Sequence, residues 1–457
     1  MTSLLQAPRR GVSTLGWDLV YAVEIGPLNA RIAASHPLPR RFASAYGEEI
    51  AVEGTLGTWQ IVPGGSGHRV FLQIPILNAS MRHADRLQTF QGSVTVSFDM
   101  EYLRRADGHA LRLRHGGTGR APSFRIESTE LGALCGLMGR SMVESSLQEW
   151  LATHEEAFEQ VFAIIETETR QAGQAHAWLR PTTISYAYTD RPTRGDGVLA
   201  LLAMTNGRPG NLLAQRVMAS VIADKQPAAM LISAHLLLDC LIRPALALAF
   251  PGTEADQFEF VGEFPMLQLK TPCALQFDHD TKLPDAPLLQ SLTISLSGSQ
   301  LVCESESSVS DGTTTEHQRI LSRQVLRSQR DTDGGHRIAF AQDGDAEVHR
   351  WSTVSPTLQA RNAGWLPAVD TVVELLARAP AILTDLAMAA LTCEATPSAT
   401  LVGAMAAPGP ARQADLLARE VCQPFAWHEA MAFSLKSVDL VESLRFSGSP
   451  WPEPTPA

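Results

Sequence analysis

The chain has 457 residues, of which 45% are hydrophobic and 19% charged, and a formal net charge of −11. That length suits two domains, and the acidic balance excludes nucleic-acid binding driven by bulk charge. Four lysines accompany 33 arginines, a bias we read as genome composition.

The first residues contain no apolar core followed by a small-residue cleavage site. This predicts a cytoplasmic protein without a secretory signal, released if at all by a non-classical route. The segment "TLGWDLVYAVEIGPLNARIAASHPLP" (Thr14–Pro39) is apolar on nearly all sides and is expected to be helical. Such a helix must be enclosed by other structure. Gly26-Pro27 should kink it, or divide it so that Pro27 enters the first turn of a second helix.

Period-two patterns follow. Ile50, Val52 and Leu56 form one apolar face, as do Val70, Leu72, Ile74 and Ile76, with Pro75 marking an edge or bulge. Val94, Val96, Phe98, Met100 and Tyr102 alternate with polar residues. These are half-buried antiparallel strands. The glycine-rich "PGGSGHR" (63–69) and "HGGTGR" (115–120) are expected to be hairpin turns, since neither leads from a strand into a clear helix. Around the second lies the most basic stretch, with Arg104, Arg105, Arg112, Arg114 and Arg120 against Asp107. It reads as a solvated hairpin or as an anionic headgroup site on a membrane surface.

"VESSLQEWLATHEEAFEQVFAII" predicts an amphipathic helix with Leu147, Trp150, Leu151, Phe158, Val161, Phe162 and Ile165 on its apolar stripe. His154 on that stripe is expected to be a satisfied core residue. "LISAHLLLDCLIRPALALAF" predicts a helix capped by Ser233 and ended by Pro251-Gly252. His235, Asp239, Arg243 and Pro244 argue against its spanning a membrane. His235 and Asp239, four residues apart, would form an ion pair or half of a metal site. Leu292, Ile294 and Leu296 alternate in a further strand. Val369, Val372, Val373 and Leu376 mark a helix expected to break at Pro380.

Asp278, His279 and Asp280 are expected in a solvated turn. The cysteines (Cys135, Cys240, Cys273, Cys303, Cys393, Cys422) form no CxxC pair, so six reduced, unpaired thiols are expected. No nucleophile elbow, P-loop, HExxH or paired-cysteine motif occurs, and no cofactor or metal is implied.

Apolar helix, antiparallel strands and amphipathic helix thus occur twice, at an offset of roughly 220 residues. We expect an α+β fold of long helices wrapped in curved antiparallel sheets, as two pseudo-repeated domains over 1–220 and 221–457. Space between helix and sheet would suit an acyl chain. Trp17, Val20, Tyr21, Phe158, Phe162, Leu236 and Cys240 are its candidate lining.

The residues Gly16-Trp17-Asp18 with Val20-Tyr21-Ala22 and Leu28-Asn29 resemble the opening of the P-forty-seven/OrfX proteins encoded beside clostridial neurotoxins. That family belongs to the TULIP (tubular lipid-binding) superfamily, with bactericidal/permeability-increasing protein. The resemblance implies a helix wrapped in a curved antiparallel sheet, present twice. It also implies binding of a lipid or other hydrophobic small molecule, in a toxin-accessory or membrane-docking role. The alternatives are an enzyme acting on a hydrophobic substrate in the same cavity, and an assembly protein that binds only protein partners.

Overall fold

The computed structural model describes residues 11–452 except 36–39, 47–49, 84–85, 107, 115–123, 133–136, 159, 168–176, 193, 263–264, 277–284, 311–313, 331, 333–334, 355–365 and 392–411. The second glycine-rich turn (115–120), Asp107, Arg120, Cys135, Asp278, His279, Asp280 and Cys393 lie outside the described residues. The chain forms two units. The first takes Leu19–Met230, Val421–Ser434 and Gly448–Ala457, and the second Met1–Asp18, Leu231–Glu420 and Leu435–Ser447.

In the first unit the strands follow the order Phe425–Trp427, Val161–Ile165, Gly108–Leu113, Arg86–Arg105, Arg69–His83, Gln60–Gly67, Pro181–Arg191, Asp196–Thr205, Leu19–Glu24. Neighbours in this order run antiparallel. The alternation expected at Val70–Ile76 and Val94–Met100 is observed: those side chains are buried, while Tyr102 is half-buried. Val52 and Leu56 are buried and Ile50 half-buried. Pro75 sits where Arg69–His83 changes partner from Gln60–Gly67 to Ile50–Leu56, next to a register shift between Ile76 and Ala79. Proline has no N–H to give a ladder, and the change of partner is where none is required. "PGGSGHR" closes the hairpin between Gln60–Gly67 and Arg69–His83, with Gly67 at φ +65°.

Three expected helices are corrected. The opening segment is a strand, Leu19–Glu24, followed by a helix, Ile25–Ser35. Its residues are apolar on every side because the strand is buried on both faces, with Leu19 to Val23 at most 2% exposed. Tyr and β-branched Val favour the extended backbone there. Pro27 does lie in the first turn of the helix that follows. The amphipathic helix stops at Thr153, and Val161–Ile165 is a strand between Gly108–Leu113 and Phe425–Trp427. The run Val-Phe-Ala-Ile-Ile satisfied the helical spacing by chance while carrying strand formers. The third correction is at Pro380: helix Leu366–Leu391 runs through it without a break. Proline there removes one backbone hydrogen bond, and Thr384 Oγ1 donates to the carbonyls of Pro380 (3.3 Å) and Ala381 (2.9 Å) in the same turn.

In the second unit the order is Phe258–Val261, Met266–Leu269, Leu288–Ser297, Gln300–Ser310, Thr314–Arg330, His336–Gln342, Arg412–Gln413. Glu347–Val354 pairs with the first half of Thr314–Arg330, and His336–Gln342 with its second half. Helix Leu366–Leu391 packs on the inner face of Gln300–Ser310, Thr314–Arg330 and His336–Gln342. "LIS" extends the strand Ala228–Ser233, after which a helical stretch runs from Ala234 to Ala249. Ser233 caps it as expected, its Oγ accepting from Leu236 N at 3.1 Å. Curled antiparallel sheets with few helices make this an α+β fold of the expected class. No helix among the described residues is long and apolar enough to cross a membrane.

Candidate functional site

The helical stretch Ala234–Ala249 changes its winding at its centre. Over Leu238–Ile242 it is a π-helix, and Arg243 N donates to Leu238 O five residues back. Pro244 supplies the cause. It has no N–H, and its ring would meet the carbonyl of Cys240 in a regular α-turn. Widening the turn relieves both faults, and such bulges recur at functional sites.

Leu237, Leu238, Leu241 and Ile242 of this stretch form one wall of an apolar slot. Leu296, Leu301, Leu326 and Phe340 of the sheet form the second wall. Ala387 and Met388 of the long helix, with Leu440 and Leu444 of the hairpin Ser434–Ser449, complete it. Its volume is about 30 Å³. An apolar space of this kind stays dry, because a water there would have no polar partners. The first unit has a wider open groove of about 920 Å³, floored by Phe42, Ala79 and Phe90 and rimmed by Arg41, Glu53, Asn78 and Ser80. Its mixed rim is not the apolar lining that an acyl chain requires.

The expected lining residues divide between the units. Trp17, Leu236 and Cys240 belong to the second; Val20, Tyr21, Phe158 and Phe162 belong to the first. Leu236 and Cys240 lie on the slot helix, but the residues that line the slot are their neighbours. Trp17 is 1% exposed and follows the turn Thr14–Gly16, where Gly16 at φ +94° takes a conformation open to glycine. Tyr21 is buried edge-on against Phe425, Trp427 and Phe433, with ring centroids 6.0–6.1 Å away. Burial pushes the Tyr21 phenol and the neighbouring Cys422 thiol above their ordinary pKa values. Phe158 and Phe162 join Trp59, Phe98, Phe124 and Trp150 in an aromatic core, and His154 stacks on Trp150 at 4.6 Å. His154 is half-buried, and its Nδ1 lies 3.0 Å from Trp150 O.

Asn29, quoted in the motif but given no role there, has one in the structure. Its Nδ2 donates to Ile61 O at 2.7 Å, and its Oδ1 accepts from Ile61 N at 2.8 Å. The amide thus mimics a strand neighbour and fastens helix Ile25–Ser35 to strand Gln60–Gly67.

Asp239 pairs with Arg243 at 3.1 Å, whose guanidinium lies 5.0 Å from the Phe260 ring, and His235 stacks on that ring at 4.2 Å. No group of three metal-ligating side chains occurs among the described residues. Of the basic stretch, Arg112 pairs with Glu101 (2.9 Å) and Arg114 with Asp99 (3.7 Å) across the hairpin. Arg104 and Arg105 are exposed beside Leu103 at its tip. Cys240, Cys273, Cys303 and Cys422 take part in no disulfide.

A Ser–His–Glu grouping joins Ser35, His428 and Glu429. Ser35 Oγ lies 2.7 Å from His428 Nε2 and donates to Glu429 Oε1 at 3.0 Å. The carboxylate engages the serine directly, whereas acyl transfer needs the carboxylate to orient the imidazole. The grouping clasps the end of helix Ile25–Ser35.

The family model "OrfX-like: Protein OrfX2/OrfX3/P47" matches residues 14–448. Protein OrfX3 of Clostridium botulinum (strain Kyoto / Type A2) is 25% identical over 338 residues, covering 65% of this chain and 69% of that protein. Protein OrfX3 of Paraclostridium bifermentans is 24% identical over 348 residues, covering 66% and 70%. Among solved structures, P47 from C. botulinum A2 superposes with a TM-score of 0.68 at 14% identity, over 96% of this chain and 99% of that one. The chain belongs to the OrfX-like family of OrfX2, OrfX3 and P47 proteins.

Proposed function

We propose that this protein is a non-enzymatic, toxin-accessory type of binding protein that takes a hydrophobic or amphipathic small molecule into the slot of its second unit. The observation that carries this reading is the slot's lining, twelve side chains that are all apolar. Ligand pockets are predominantly apolar, and dry apolar space rewards any chain that fills it. At about 30 Å³ the slot admits only about one methylene-sized group without rearrangement. Uptake of a chain therefore moves its walls, and the unbranched Met388 and the π-wound stretch are the adaptable parts.

Native mass spectrometry of organically extracted protein, offered oleate, monoolein or octadecane, tests the reading. An added ligand mass that disappears in Leu241→Trp, which fills the slot, is expected. Extracted protein that takes up none of the three refutes it. A second reading, an assembly protein, draws on strand Glu347–Val354. Its residues 347–353 are exposed, Val348 and Trp351 included, and its pairing is with Thr314–Arg330 on one side. Such an edge can accept a partner's strand. Cross-linking with co-expressed neighbouring gene products would favour it if Val348→Lys and Trp351→Lys together abolish the cross-link.

A further inference from the structure

The inner face of the second unit's sheet is not uniformly apolar. On strand Thr314–Arg330 the residues of that face are Gln318, Ile320, Ser322, Gln324 and Leu326, and the first four are buried. The register sets Ser307 opposite Gln318, Ser305 opposite Ile320 and Leu301 opposite Gln324. Ser305 and Ser307 are each 3% exposed. Cys303 lies opposite Ser322, so polar side chains interrupted by Ile320 and Cys303 run from beside Leu301 and Leu326, which line the slot, to Gln318. Six residues of strand separate Gln324 from Gln318, about 20 Å at the usual rise.

Gln318 is the residue of this run whose side chain is left unserved. It is 2% exposed, and neither its Nε2 nor its Oε1 has a hydrogen-bond partner. Buried polar groups left unmet are rare in native proteins, because their water has been stripped away with nothing in exchange. A primary amide presents both donors and an acceptor. The group that satisfies it must therefore accept and donate at once. A hydroxyl or an amide does so. A carboxylate only accepts and leaves Oε1 unmet, and a hydrocarbon serves neither atom.

We propose that the slot continues into a headgroup site, and that its ligand is a single-chain amphiphile with a hydroxyl- or amide-bearing head recognised by Gln318. This rests on the apolar-ligand reading above. The chain occupies the space among Leu241, Leu301 and Phe340, and the head lies along Ser305, Ser307 and Gln318. Arg350, opposite Gln318 on the neighbouring strand, is exposed and stays solvated at the rim.

The test compares monoolein, oleate and octadecane as probes, by calorimetry on extracted full-length protein. Wild type is expected to bind monoolein at least about tenfold tighter than octadecane, the worth of one well-made hydrogen bond. Gln318→Leu should lose that advantage and keep its affinity for octadecane. Because the amide is unserved in the free protein, this variant should melt no lower than wild type. Gln318→Met, closer in length, is the second variant should leucine pack poorly. If either folded variant binds monoolein as wild type does, or if oleate binds wild type as tightly as monoolein, the headgroup site is overturned while octadecane binding leaves the slot standing. If wild type binds none of the probes, the apolar-ligand reading itself fails.

Discussion

Asn29 shows how one side chain can set the geometry of an element. Its two hydrogen bonds replace what a neighbouring strand would give to the peptide of Ile61. Asn29→Ala should cost about 1–3 kcal/mol in chemical denaturation, because both Ile61 groups are left unmet in a part-buried site. Trp17→Ala should cost about 3–5 kcal/mol, as the ring is fully enclosed. An unchanged denaturation midpoint would show that the motif serves something other than packing. Cys303 gives a pH dependence of definite sign. Burial holds its thiol protonated, pushing the pKa from 9.0 up to about 12. Between those values the unfolded chain has lost this proton and the folded chain keeps it, so stability falls as pH rises. The slope is about 1.4 kcal/mol per pH unit for this group. Cys303→Ala should flatten the alkaline limb of a stability–pH curve relative to wild type, and an equal slope in both proteins would contradict the assignment.

Elements were legible in the sequence where one face meets water. Val70–Ile76, Val94–Met100 and Leu292–Ile294 alternate because polar residues are required on the far side of each strand. Leu19–Val23 and Leu199–Met204 are buried on both faces, so alternation vanishes and a strand looks like an apolar helix. The slot helix was readable from its cap at Ser233 and its stop at Pro251-Gly252. Its lining was not, because Leu236 and Cys240 follow α-spacing while the π-turn at Leu238–Ile242 presents their neighbours. Gln318 gave no signal at all, since "HQRILSRQ" reads as a solvated strand until its register is known. A similar device closes an edge in the first unit. Gln148 of helix Leu137–Thr153 accepts from Ile126 N (3.1 Å) and donates to Phe124 O (2.8 Å) on strand Phe124–Glu130. An edge covered in this way is protected from pairing with other chains. Gln148→Ala should raise hydrogen exchange at Ile126 by about tenfold, the worth of one hydrogen bond, while exchange at Val96 on the adjacent strand stays slow.

At the scale of the molecule, the first unit is not a continuous stretch of chain. Residues 19–230 are joined there by 421–434 and 448–457. Tyr21 shows what the late segment contributes, since its three ring partners, Phe425, Trp427 and Phe433, all come from it. Phe425–Trp427 also pairs with Val161–Ile165, and Trp451 Nε1 of 448–457 donates to His428 O of 421–434 at 3.0 Å. A fragment of residues 1–230 would lack all of this. It would expose the Tyr21 ring and leave Val161–Ile165 as an open edge. Each lost aromatic pair is worth about 0.5–1.5 kcal/mol beyond its buried area, and domains are stable by only about 5–15 kcal/mol. The fragment is therefore expected to keep secondary structure, lose its near-ultraviolet circular dichroism and melt without a cooperative transition. Adding a peptide of residues 421–457 should restore a sharp melt, because the missing strand and the three rings return with it. A fragment that melts cooperatively without the peptide would show that the late segment decorates a core already complete.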